Sequence, residues 1–160
     1  MKAPSRATVV EEVESTILSR EIGRLAGPIM GIGARWAARR LPDVASERRF
    51  RAAVPVHELL AASSVVLRDL ETAHVELPPM GEEAEVVSVI GSGIQNMNPT
   101  LIRVSVSEAS RGSLLRVRAV AKEGAIQQRS AELAVERFMN ELRARLPENA
   151  LQSADEGESG

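Results

Sequence analysis

Few residues in this chain are of types that do chemistry, and their spacing narrows the choice further. His57 and His74 are the histidines, and there is no cysteine or tyrosine. Disulfides, thiolate metal ligands and cysteine nucleophiles are thereby excluded. Glu71-Thr72-Ala73-His74 supplies one Glu-x-x-His. Carboxylate-bridged metal centres built on that motif need two such pairs and further glutamates, so both histidines read as solvated side chains near helix ends. No glycine-rich segment runs into Lys-Ser or Lys-Thr, and Gly91-Ser92-Gly93 is an isolated Gly-x-Gly, so no phosphate loop is predicted. Lys122-Glu123 reads as a charged pair with no nucleophile beside it. The expectation is a protein that is not an enzyme and carries no metal and no cofactor.

Arginines and amides remain. Lys2 and Lys122 are the lysines, and every other basic residue is arginine. Arg49, Arg51, Arg103, Arg116 and Arg118 fall at alternate positions of segments that read as strands, which puts them on one face of a sheet. Such a face is self-repelling unless something anionic covers it. It then serves either as a surface for an anionic ligand, nucleic acid or acidic partner, or as a bed for Glu11, Glu12, Glu14 and Glu21 of the N-terminal segment. A blander source is composition, because arginine- and alanine-rich, lysine-poor usage is typical of GC-rich bacterial coding. Gln95, Asn96 and Asn98, in the stretch Ser92–Pro99, form a second candidate, an amide-rich loop able to hydrogen-bond a ligand or simply to turn the chain.

The elements that must position these residues follow from periodicity. Residues 8–26 read as an amphipathic helix, with Val9, Val10, Val13, Ile17, Leu18, Ile22 and Leu25 on its stripe and Glu11, Glu12, Glu14 and Arg20 off it. Gly27-Pro28 should end it. Gly23, Gly27 and Gly31 recur at every fourth residue, a spacing that admits close helix approach if the helix is continuous. A short helix over 29–40, with Trp36 among Arg35, Arg39 and Arg40, follows; short basic amphipathic helices of this kind lie on anionic membranes. Strands are predicted at 49–54, 85–92, 101–107 and 114–121, with Arg111-Gly112-Ser113 as a hairpin turn. Pro55 opens a helix over 56–70, and Ala131, Val135, Phe138, Leu142 and Leu146 mark a last helix over 127–146.

The fold class is therefore α+β, a four-stranded, mainly antiparallel sheet in the order β-α-β-β-β-α with helices on one face. The helix, three strands and helix over Val56–Leu146 resemble the topology of double-stranded-RNA-binding domains. Where that family carries a lysine cluster, at the start of the last helix, this chain has Gly124–Arg129. A strand, a helix, a sheet and a long C-terminal helix are also similar to a reduced helix-grip, or lipid- and polyketide-binding, architecture. Topology does not carry function, so neither likeness assigns one.

Composition bounds the rest. The 160 residues are 44% hydrophobic and only 2% aromatic, so the core must be aliphatic and stacking on rings is a poor binding mode. A net charge of −2 gives no global pull toward nucleic acid. The acidic residues after Arg6 do not read as a signal peptide, and Leu25–Ala34 is about half the apolar length of a bilayer span, so stable insertion is not expected and the location is expected to be cytoplasmic. The expected organisation is an N-terminal helical extension (1–46), an α+β domain (47–148) and a disordered acidic tail (149–160). The expected function is that of an interaction protein whose partner is protein, as a homo-oligomer assembled through its N-terminal helices and sheet. The alternative is a binding module for an anionic or apolar small ligand or for nucleic acid.

Overall fold

The computed structural model describes residues 6–73, 84–92, 98–124 and 128–154. Alternation is strongest where the sheet is most central. In β4 (Asn98–Glu108) and β5 (Ser113–Lys122), Ile102, Val104, Val106, Leu115, Val117, Ala119 and Ala121 all point to one side and are buried. The strands pair in antiparallel register from Thr100 opposite Ala121 to Glu108 opposite Ser113. β3 (Ala84–Ser92) pairs with β4, and β1 (Asp43–Ala52) pairs with β5 along its whole length.

The main core lies where α3 (Val56–Leu70) and α4 (Ser130–Arg143) cover that side. Their stripes follow helical spacing: Leu59, Ser63, Val66, Leu67 and Leu70 on α3, and Ala131, Val135, Phe138 and Leu142 on α4. Phe138 is fully buried, and the rest of this core is aliphatic apart from Phe50 and Met139.

Four expectations are corrected. The sheet has six strands rather than four, in the order β2-β3-β4-β5-β1-β6. The additions are the three-residue edges β2 (Glu71–Ala73) and β6 (Leu151–Ser153), too short to carry any periodicity. Secondly, β1 starts at Asp43, so the boundary drawn at residue 46 falls inside a strand; the segment Asp43–Arg49 is held extended by β5 rather than by an apolar pattern of its own. The neighbouring position of β1 also takes the sheet beyond the three-strand order of RNA-binding domains. Thirdly, the C-terminal segment is structured through residue 154, because β6 pairs with β1 and the Ala154 N–H donates to the Arg49 carbonyl at 3.0 Å. Fourthly, helices cover both faces, since α1 (Arg6–Leu25) lies across β4 and β5 on the side opposite α3 and α4.

α1 turns back at Gly27, whose φ of +78° is readily taken by glycine, into α2 (Gly27–Ala38). The two helices touch through glycine: a Cβ on Gly31 would sit 2.5 Å from the Gly23 carbonyl oxygen, and one on Gly23 would lie 2.9 Å from Arg35 Cβ. The regular glycine spacing thus serves both readings, a break at Gly27 and a close approach between Gly23 and Gly31.

Candidate functional site

α1 is seated on the sheet by a narrow apolar strip. Ile17 and Leu18 pack with Val89, Leu101 and Val120, flanked by Val13 and Val87. Val87 and Val89 face this side while Val86 and Ile90 face α3 and α4, which is why β3 reads as continuously apolar.

Charges surround the strip. The strand register sets Arg103 opposite Arg118, and Arg116 opposite Arg49, so like charges face one another across neighbouring strands. One glutamate bridges each pair. Glu14, only 1% exposed, accepts from Arg103 Nε at 3.3 Å and from Arg118 Nη2 at 3.2 Å. Arg103 also donates through Nη1 to Glu85 at 2.9 Å, and the Ser105 hydroxyl reaches the other oxygen of that carboxylate at 3.3 Å. Arg103 Nη2 is buried with no hydrogen-bond partner among the described residues. At the open end of the face, Glu47 receives both Nε and Nη2 of Arg116 at 2.9 Å and Arg49 Nη2 at 3.4 Å. The Arg116 guanidinium, followed by Arg49, holds the Glu47 carboxyl below its ordinary range against the opposing effect of burial.

The predicted arginine set therefore divides. Arg103 and Arg118 come together beneath α1, Arg49 and Arg116 come together at Glu47, and Arg51 is exposed on β1 apart from both. Glu14 is named in the sequence reading as a cover for the arginines; its burial, and the partners of Lys122, are not. Glu14 is buried in phase with Leu18, four residues on, rather than off the stripe. Glu21, seven residues on, is likewise buried. Lys122 does not pair with Glu123; its Nζ donates to Asp43 Oδ1 and the Ser15 hydroxyl, both at 2.8 Å, and to the Leu41 carbonyl at 3.4 Å. It thus ties α1 and the start of β1 to the sheet. A cleft of about 250 Å³ lies beside this cluster, lined by Glu11, Glu14, Asp43 and Arg118 among others.

Glu123 has a different task. Its carboxylate accepts the backbone N–H groups of Ser130 at 2.6 Å and Gln128 at 3.1 Å, at the N-terminus of α4. Burial pushes this carboxyl up, but the backbone and hydroxyl donors of Ser130, with the N–H groups of Gln128 and Arg129, together hold it below its ordinary value. Asn98 completes the junction, donating through Nδ2 to Ser130 Oγ at 2.7 Å and to the Lys122 carbonyl at 3.4 Å. That amide of the candidate loop is thereby engaged in joining β4 and β5 to α4. Gln95, Asn96 and His74 lie outside the described residues, and His57 is exposed on the first turn of α3.

On the far side of α1 the surface changes character. α2 rests on α1, while Ile32 is 84% and Trp36 57% exposed. Arg40 stacks over the Trp36 ring at 3.7 Å. Along the two helices runs a groove of about 330 Å³ lined by Gly23, Gly27, Gly31 and Ile32 and by Arg20, Arg24 and Arg35. Among the described residues no helix is long and apolar enough to cross a membrane.

No family model matches the chain. No curated protein matches it either. Among solved structures, a protein of Chromobacterium violaceum aligns at 12% identity with a TM-score of 0.39, over 64% of this chain and 95% of that one. An uncharacterized protein of Rhizobium leguminosarum aligns at 10% identity with a TM-score of 0.34, over 64% of this chain and 96% of that one.

Proposed function

We propose that this chain is a non-enzymatic interaction protein whose contact element is the N-terminal helical hairpin. The observation that carries this reading is α2. It packs on α1 and leaves Ile32 and Trp36, one helical turn apart, facing water. A helix rich in apolar residues that adds nothing to the main core is retained for a surface it covers elsewhere. The charged seam supports the same reading, because Glu14, Ser15 and Lys122 fix the hairpin to the domain at a defined angle.

Self-association through the N-terminal helices and sheet would bury this surface against a second copy. The alternative, an anion-binding sheet face, is weakened by the glutamates that bridge both arginine pairs. The test is acrylamide quenching of Trp36, the chain's single tryptophan, as protein concentration is raised and as candidate partners are added. Shielding under any of these conditions is expected. A ring that stays fully quenched throughout would remove the hairpin from consideration as a contact element.

A further inference from the structure

We propose that the outer face of α2, with the arginine-lined groove beside it, binds the surface of an anionic lipid bilayer. The inference rests on the reading of the hairpin as the contact element and names its partner. Between Glu21 and Asp43 the chain carries Arg24, Arg35, Arg39 and Arg40 and no acidic residue, so the exposed apolar side chains sit within a wholly cationic stretch. A second copy related by a two-fold axis would set one cationic stretch without acidic residues against another, a contact that like charges oppose. An anionic headgroup layer over an apolar interior matches both halves of the face at once.

The geometry supports an in-plane position. α2 has 12 residues, about 18 Å of helix, which is too short for a hydrocarbon core of about 30 Å and suited to lying along it. Ile32 and Trp36 project from the side away from Gly31 and Ala38, the positions that meet α1 or are buried. Tryptophan favours the interfacial zone, and Arg40 on its ring keeps a guanidinium at headgroup depth. Glu21 engages Arg24 at 2.7 Å and Arg20 at 3.6 Å, whereas Arg35, on α2 itself, lines the groove from the other helix and adds its charge to the face.

Trp36 reports its own environment, so the full chain is titrated with vesicles of phosphatidylcholine alone and of phosphatidylcholine with phosphatidylglycerol, following its emission. The expected result is a blue shift, with quenching by brominated acyl chains, on the anionic vesicles only, reversed by high salt. A variant carrying R35Q, R39Q and R40Q should bind about a hundredfold more weakly, and I32S should lose the shift while unfolding at the wild-type temperature. Equal partitioning to neutral vesicles, or an equal shift with heparin, would overturn the proposal. A shift that follows protein concentration without lipid would assign the face to a second copy, which ends the lipid proposal and leaves the interaction reading standing. No change under any condition would end both.

Discussion

The two faces of the sheet are covered by different physical means. Beneath α3 and α4 the contact is a broad aliphatic core around Phe138, Leu59, Ile102 and Leu115. Beneath α1 it is a strip of Ile17, Leu18, Val89, Leu101 and Val120, bordered by Glu14, Arg103, Arg118 and Lys122. Apolar burial is non-directional and scales with area, so the first face supplies most of the stability. Ion pairs removed from water gain little over an apolar replacement, but they penalise any arrangement that strands one partner. The second face thus acts chiefly to place α1, and through it α2, at one position on the sheet.

The largest effects should separate the faces. Phe138→Ala removes a fully buried ring, and should cost about 3–5 kcal/mol in global unfolding measured with denaturant. Glu14→Gln leaves Arg103 and Arg118 without their shared anion, and should cost about 3 kcal/mol or more at the α1 seam. Its signature is local: amide exchange across α1 accelerates while β4 and β5 stay protected. Were Glu14→Gln to unfold the sheet as Phe138→Ala does, the distinction between the faces would collapse.

The broad face is also the legible one. Val104, Val106, Leu115 and Val117 alternate with the polar Arg103, Ser105, Arg116 and Arg118, and Ala131, Val135, Phe138 and Leu142 repeat at helical spacing, so residue type alone marks the apolar side. The second face is harder to read, since its buried residues include charges that ordinarily mark a wet surface. Glu14 differs from Glu11 and Glu12 by standing three residues before Ile17 as well as four before Leu18, between the two, a signal visible only if a carboxylate is admitted to a buried stripe. The outward arginines are legible as a set, whereas their division at Arg103 and Arg118 depends on where a helix from a distant part of the chain lands. β2 and β6 escape notice because three residues have no period, and the first half of β1 because its shape is dictated by β5.

Glu123 sharpens the comparison, being a charge that serves the apolar side. With its N–H donors at the start of α4 it acts as a cap supplied from another element, and Glu123→Gln should cost about 1–2 kcal/mol. Because its folded pKa is depressed, its contribution is fully present above the ordinary carboxyl value of 4.5 and disappears as pH falls through the lowered folded value. Unfolding midpoints measured from neutral pH down through that range should therefore converge for the wild type and Glu123→Gln. A constant gap at every pH would mean that the amide replaces the carboxylate poorly for reasons of shape alone.

The smallest effect is expected at Glu47, where the seam's chemistry recurs in water. Its pairing with Arg116 has two contacts of 2.9 Å, shorter than either arginine contact of Glu14, yet the arginine side chain is 46% and the glutamate 30% exposed. Solvent screens the attraction and holding two long side chains costs entropy, so Glu47→Gln should change stability by only about 0–1 kcal/mol. What small contribution there is follows the same sign as at Glu123, present above the ordinary carboxyl value and lost as pH falls, because Arg116 lowers the folded pKa. The substitution also removes a negative charge from between Arg49 and Arg116, and retention on an anionic resin should rise modestly and vanish with salt. Equal geometry with unequal cost would show that burial, rather than pairing distance, distinguishes Glu14 from Glu47. A loss at Glu47 as large as that at Glu14 would mean the open end of the sheet is itself covered in solution, and would redirect the search for a partner from α2 to β1.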